Sequence, residues 1–361
     1  MIFRFLLILI PVSLILEHVV HAGPMWVFAA SVVAIVPLAE LIRKSTEHLA
    51  ERQGTAIGGL LNVTFGNLAE LILALFVLYE GHANVVKGQI TGAIIGNALL
   101  GLGLSIVVGT FGRPTQKFNR ASAGRLSSLL ILAVIALLTP ALFDYSEREV
   151  TGVAHATVLD EKLSLGVAVV LILVYVLNLI YSLVTHRDVF SDHSEVKDQE
   201  PVHDVWPMSK ILGVLLGATI VTALEAEMVS SALESTSEQL GVTTFFLGVT
   251  VLAVVGNAAE YVSAVYFARK DRMDMTLNIT VGSTIQIALL VAPVLVIVSY
   301  FMGRPMDLVF GNPLELIAIA GVAFAVNTIA HDGETTWFEG VLLLAIYVLL
   351  GMAFFFVTPP A

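Results

Sequence analysis

The sequence contains no cysteine, and charged residues fill only 13% of its 361 positions. The first absence excludes disulfides, thiolate metal sites and cysteine nucleophiles. The second excludes an ordinary soluble domain, in which roughly a quarter of the residues are charged. Positive charge is the scarcer sign, with 18 Lys and Arg against 29 Asp and Glu and a net charge of −11. That balance argues against nucleic acid as a partner. What fills the chain instead is apolar: 57% of the residues are hydrophobic and the mean hydropathy is +0.90. A water-facing fold cannot bury this much apolar sequence, so the solvent for most of it is a lipid bilayer.

Eleven apolar segments are long enough to cross a bilayer, at 2–20, 25–44, 55–80, 84–111, 123–143, 160–185, 209–233, 243–269, 275–301, 314–331 and 337–357. Gly23-Pro24, Gly112-Arg113-Pro114, Gly303-Arg304-Pro305 and Asn312-Pro313 punctuate the gaps. The first run follows almost no basic region and lacks a small-residue cleavage site, so it reads as a span and not as a removed signal peptide. With the N-terminus in the cytoplasm, 14 of the 18 basic residues fall inside. Only Lys87, Arg148, Lys162 and Arg304 fall outside, as the positive-inside rule requires. The C-terminus is then external.

Self-comparison reveals an internal repeat. Gly66-Asn67-Leu68-Ala69-Glu70 recurs as Gly256-Asn257-Ala258-Ala259-Glu260 at an offset of 190, and Gly92 matches Gly282 at the same offset. Upstream, Ala39-Glu40, Glu47 and Gly54 match Ala226-Glu227, Glu234 and Gly241 at an offset of 187. The expected fold is therefore an all-α polytopic membrane protein with about 11 helices: one N-terminal helix and two five-helix repeats. The expected divisions are 1–22 for the additional helix, 23–186 for the first repeat, 187–208 for an acidic cytoplasmic linker and 209–361 for the second repeat. The linker carries Asp188, Asp192, Glu195, Asp198, Glu200 and Asp204, and a solvated connection is the simpler reading of it. An odd number of spans per repeat inverts one against the other. Inverted repeats characterise secondary transporters, whose substrate site lies near the midplane at the repeat interface.

Each Gly-Asn-x-x-Glu segment sets a carboxylate deep in an apolar span. A lone charge there costs a few kcal/mol at least, by insertion scales, so it must face a polar cavity or a partner. Glu70 and Glu260, placed symmetrically, are expected to meet near the midplane with a formal charge of −2, which matches one Ca²⁺. Asn67 and Asn257 lie three positions before these acids and share their helix faces. Calcium takes six to eight oxygen ligands from carboxylates, amide carbonyls, main-chain carbonyls and water. Gly66 and Gly256 are expected to let the helices break and bare carbonyls. Without Cys, and without His in either motif, a softer metal is less favoured. Emptied of Ca²⁺, two such carboxylates cannot both stay ionised, so protons and Ca²⁺ compete for one set of oxygens.

Further candidates to line the site are Asn97, Ser283 and Gln286, for which helix packing is the plainer alternative, and the repeat-related pair Glu40 and Glu227. Glu225 has no acidic counterpart and is a weaker candidate. His82, His155 and His331 read as solvated loop residues, and Trp26, Trp206 and Trp337 as interfacial anchors. The series Gly88, Gly92, Gly96 and Gly101 reads as close helix packing.

These motifs resemble the cation/proton exchanger family of the calcium/cation antiporter superfamily, over about 300 residues from Glu40 onward. The resemblance rests on Gly256–Glu260 with Ala268–Met275, on Val281–Leu289, and on Asp332–Gly340. It implies Ca²⁺/H⁺ antiport by alternating access, with Glu70 and Glu260 as the central acids and the first span added to a ten-span core. It implies no cofactor, only Ca²⁺ and H⁺ as cargo, and no enzymatic role. Ala93, Gly96 and Tyr261 depart from the family's usual Ser, small polar residue and His. A Na⁺/Ca²⁺ exchanger of the same superfamily is the nearest alternative, but it normally has Pro before each central Glu, where this chain has Ala69 and Ala259. An intramembrane enzyme or a helical receptor would leave the repeat and its paired acids unexplained. A prokaryotic plasma membrane is the expected location.

Overall fold

The computed structural model describes residues 5–53, 64–151, 153–182 and 206–357. Gly54, the acid-rich stretch from Asp188 to Asp204, and the side chains of Arg148 and His155 lie outside the described residues. The described chain is almost entirely helical. In order come α1 (Leu9–His18), α2 (Pro24–Gln53), α3 (Leu68–Tyr79) and α4 (Ala83–Ile95), which passes through a π-helical turn (Gly96–Gly101) into α5 (Leu102–Gly109). Next are α6 (Arg120–Thr151), α7 (Val153–Ile180) and α8 (Met208–Leu240). A broken helix follows, made of α9 (Thr244–Leu247), a π turn (Gly248–Leu252), α10 (Ala253–Gly256) and α11 (Ala258–Arg269). The rest comprises α12 (Met273–Gln286), a third π turn (Ile287–Val291), α13 (Ala292–Phe301), α14 (Pro313–Asp332) and α15 (Trp337–Phe355).

Eight continuous helical segments among the described residues are long and apolar enough to cross a membrane, and α9–α11 makes a ninth if its bent halves count as one span. Two shorter apolar helices, α1 and α3, accompany them. The protein is a polytopic all-α membrane protein. Leu173, Leu177, Phe324 and Leu349 turn large apolar side chains outward, as lipid-facing residues do. By contrast, α4 is buried on all sides, every residue from Val85 to Ile95 included, so it forms the centre of the bundle. Gly88, Gly92 and Gly248 bring it against the start of the broken helix: a Cβ on Gly88 would stand 3.0 Å from Phe245, and one on Gly92 would overlap the Val249 carbonyl.

Several helices run past the apolar limits expected from hydropathy. α2 continues to Gln53 and α8 to Leu240, beyond the expected ends at 44 and 233. In α2 the extension is supported by neighbouring ion pairs: Glu40 with Arg43 at 2.9 Å and Lys44 at 2.8 Å, and Arg43 with Glu47. Hydropathy marks the edge of the membrane, whereas such pairs keep the helix going outside it. α8 stops where Gly241 adopts φ +66, and α14 stops at Gly333 with φ +75. His331 is therefore in the last turn of α14 and not in a loop. A two-residue antiparallel pairing, β1 (Gln116–Lys117) with β2 (Glu334–Thr335), ties the α5–α6 connection to the α14–α15 connection.

Candidate functional site

Both Gly-Asn-x-x-Glu segments interrupt their helices at the asparagine. Asn67 has φ −98 and ψ 19, Asn257 has φ −103 and ψ 9, and each precedes a helix of 12 residues. Across Asn257 the helix bends by 54°. The break expected at Gly66 takes in Gly66 and Asn67 together, whereas the one expected at Gly256 falls one residue later, at Asn257. Gly256 has a different job: a Cβ there would lie 3.5 Å from Glu70 Cγ, so the glycine makes room for that side chain.

Asn at the N-cap followed by Glu three residues on is the pattern of a capping box, in which the two side chains satisfy the free backbone N–H groups of the first turn. Asn312 and Glu315 at the start of α14 do this. Asn67 and Asn257 do not; neither side chain caps its own helix. Asn67 instead donates to Gln286 Oε1 at 2.9 Å, and its own carbonyl accepts from Ser283 Oγ at 3.4 Å. Asn257 donates to Glu70 Oε1 at 3.1 Å and to the Ala253 carbonyl at 2.9 Å. Asn97, in the first π turn, donates to Asn257 Oδ1 at 2.8 Å and to Ser283 Oγ at 3.0 Å. Gln286, Asn67, Ser283, Asn97, Asn257 and Glu70 therefore form one connected polar chain through the middle of the bundle.

The local pattern is thereby diverted from helix capping, and the two acids are left with free oxygens. Glu70 is 2% exposed, and its Oε2 has no hydrogen-bond partner. Glu260 Oε2 is likewise enclosed and unpartnered, as are Asn97 Oδ1 and Tyr261 Oη. Glu70 and Glu260 lie within electrostatic reach of each other, each in the first turn of its helix, where the positive end of the helix dipole favours an anion. A buried acceptor without a donor is costly, more so if charged. A cation satisfies such oxygens. Among the described residues no group of three or more His, Cys, Asp or Glu gathers at metal-binding distance, so a cation bound here would have to draw on amide and main-chain oxygens beside the two carboxylates.

A cavity of about 430 Å³ reaches this region. Glu260, Gly66, Asn67, Ser283 and Gln286 line it; Glu70, Asn257, Asn97 and Gly256 do not. Arg43, Glu47, Asn178, Ser182, Phe267 and Asn278 also line it. Glu40 does not line the cavity, since its carboxylate is held by Arg43 and Lys44. Glu227 does not line it either and is exposed on the outer face of α8, while Glu225, two residues away and so on the opposite side, is fully buried. Sequence reasoning missed Arg43 and Asn178 as cavity residues, although the Arg43-to-Glu47 spacing of one turn marks a paired helix face. Tyr261 and Gly96, two departures from the family pattern, prove to be in contact: a Cβ on Gly96 would overlap the tyrosine hydroxyl, and one on Gly101 would lie 2.8 Å from its ring.

Residues 23–184 and 210–356 match the family described as sodium/calcium exchanger protein. The chain belongs to this family. Within it, the chain is 44% identical to a Ca(2+)/H(+) antiporter of Aphanothece halophytica, over 98% of this chain and 96% of that protein. It is 41% identical to the Ca(2+)/H(+) antiporter ChaA of Bacillus subtilis, over 96% of each. Its structure resembles the crystal structure of the selenium-substituted Ca²⁺/H⁺ antiporter protein YfkE, with a TM-score of 0.83 and 37% identity over 99% of both chains. The sodium–calcium exchanger NCX_Mj shares the fold at 16% identity and a TM-score of 0.52.

Proposed function

We propose that this chain is a secondary antiporter that exchanges Ca²⁺ for H⁺ across a membrane, with Glu70 and Glu260 holding either the metal or protons. The observation that carries this reading is the pair of enclosed carboxylates, each with an unpartnered oxygen, beside an amide chain that leaves those oxygens free. Asn67 and Asn257 would supply amide oxygens, and Asn97, Ser283 and Gln286 would orient them. Relatives that match almost the whole chain at 41% and 44% identity are named Ca(2+)/H(+) antiporters, which favours protons over sodium as the counter-ion. No cofactor is required, because the ions themselves are the cargo.

Two inverted repeats fit the observed elements. Adding 190 to the bounds of α3, 68 and 79, gives 258 and 269, the bounds of α11. The same shift carries the first π turn, 96–101, onto 286–291, where the third begins and ends within a residue. On this reading α1 and α3 are the described parts of two further spans, which brings the total to eleven, and the divisions at 22, 186 and 208 separate the added helix, the first repeat, the linker and the second repeat.

Orientation follows from the same frame. Arg43, Asn178, Ser182, Phe267 and Asn278 all lie at the span ends that the basic residues place in the cytoplasm, so the cavity opens inward. The opposite end is shut, because Gly248 packs so closely on Val85 that a Cβ would stand 2.6 Å from its carbonyl. This is an inward-open state with Glu260 reached first. Protons binding to the emptied pair would let the bundle switch without carrying net charge across the bilayer.

The test is ⁴⁵Ca²⁺ uptake into vesicles carrying the purified protein and an imposed pH gradient. Uptake driven by the gradient and indifferent to sodium supports the reading; uptake driven by sodium and indifferent to pH overturns it.

A further inference from the structure

We propose that Glu225 is a second proton-binding carboxyl, separate from the exchange site, whose neutral form docks the N-terminal helix α1 onto the long helices α2 and α8. Glu225 is 0% exposed in the middle of α8. Its Oε1 stands 2.7 Å from Ser13 Oγ on α1, and the same hydroxyl lies 2.8 Å from the Ile10 carbonyl one turn earlier. A serine hydroxyl has a single proton. It cannot serve both acceptors fully, and the geometry resolves at once if Glu225 carries a proton: the acid donates to Ser13, and Ser13 donates to Ile10.

The surroundings favour the same state. Ser31 on α2 lies within hydrogen-bonding reach of this carboxyl, and Thr222 lies one helical turn before it; both are fully buried, and the Thr222 hydroxyl has no hydrogen-bond partner. Glu225 Oε2 is also unpartnered. The groups acting on Glu225 are hydroxyls, with no charge among them. Glu17 and His18 on α1, Glu40, Arg43 and Lys44 on α2, Glu227 on α8 itself and Glu70 on α3 supply no counter-charge. An ionised carboxylate here would be buried without a counter-ion, whereas a neutral acid needs only the hydroxyls already present.

The consequence reaches α1 because its attachment is thin. Ser13 is its one fully buried residue among those described, so the helix is pinned by a polar contact and by Ile10, which packs on the small cluster of Leu38, Ala39, Ile42, Ala69 and Ala218. Losing the proton from Glu225 removes the donor to Ser13 and calls for water at the contact. α1 then keeps only its half-buried apolar contacts, chiefly along α2. This inference is independent of the exchange reading, since Glu225 belongs neither to the cavity nor to the polar chain around Glu70.

The absence of cysteine makes a direct test available. Nitroxide labels at Ile8→Cys, the N-cap of α1, and Leu216→Cys on α8, both exposed positions, report the distance between the helices in vesicles frozen at pH 5.5 and at pH 9. The expected result is one narrow distance at pH 5.5 and a longer, broader distribution at pH 9. Glu225→Gln, a permanent neutral mimic, should stay narrow at both, and Ser13→Ala should be broad at both. The proposal is overturned if the unsubstituted pair gives the same distribution at the two pH values, if Glu225→Gln shifts as the parent does, or if Ser13→Ala stays narrow.

Discussion

Asn257 donates its side-chain amide to Glu70 Oε1 at 3.1 Å, a contact between residues 187 apart in sequence that joins the two like segments. The contact fixes one carboxylate oxygen and leaves the other without a hydrogen-bond partner. It also explains why a residue ideally placed to cap α11 does not do so: capping would turn the amide away from Glu70.

Substituting Asn257 by Ala should therefore weaken Ca²⁺ binding without unfolding the bundle. A hydrogen bond to a charged group contributes about 1.5–3 kcal/mol, so the half-saturating Ca²⁺ concentration should rise roughly 10- to 150-fold. Calcium titration of the purified variant measures this, and an unchanged midpoint would count against the assignment of Asn257.

The repeat-related glycines Gly92 and Gly282 should respond in opposite ways. A Cβ on Gly92 overlaps the backbone of Val249, which cannot yield, while one on Gly282 meets nothing within 4 Å. Gly92→Ala is expected to destabilise the protein by about 1–3 kcal/mol or more, and Gly282→Ala to leave its thermal stability unchanged. Melting followed by size-exclusion chromatography separates the two.

Lys87 and Asp307 form a mostly buried ion pair at 2.5 Å, in which Lys87 also donates to the Val309 carbonyl at 2.8 Å. Removing one partner of such a pair typically costs about 3–5 kcal/mol, because the other charge is left behind. Lys87→Met and Asp307→Asn should each destabilise more than the double variant does. Additive losses would show that the two charges do not depend on each other.

Competition between Ca²⁺ and protons fixes the sign of the pH dependence. Metal binding requires deprotonated carboxylates, so the half-saturating Ca²⁺ concentration must rise as pH falls. With two competing protons the limiting slope is about 100-fold per pH unit. Flux measured at several Ca²⁺ concentrations between pH 5 and pH 9 gives that slope, and a flat profile would exclude shared oxygens.

Much of this was legible in the sequence because a bilayer leaves few choices. Hydropathy located the helices, and the carboxylates of Glu70 and Glu260 stood out against apolar surroundings that do not tolerate stray charge. The remainder depended on facts that hydropathy does not contain. Glu227 matched Glu40 in register, yet it lies exposed while its neighbour Glu225 is buried, because helix rotation and not sequence spacing decides which residue faces inward. The second helix break was assigned to Gly256, a residue with great backbone freedom, but it falls at Asn257, whose side chain is committed to Glu70 and Asn97 on other helices. The contact between Gly96 and Tyr261 joins residues far apart in sequence and had no local signal at all.

Titration calorimetry of Ca²⁺ binding, repeated in buffers of different ionisation enthalpy, counts the protons displaced when the metal arrives. The account predicts that protons leave the protein on Ca²⁺ binding near neutral pH, and that fewer leave in both Glu70→Gln and Glu260→Gln. Ca²⁺ binding to the unsubstituted protein with no proton release from these two carboxyls at any pH would contradict it.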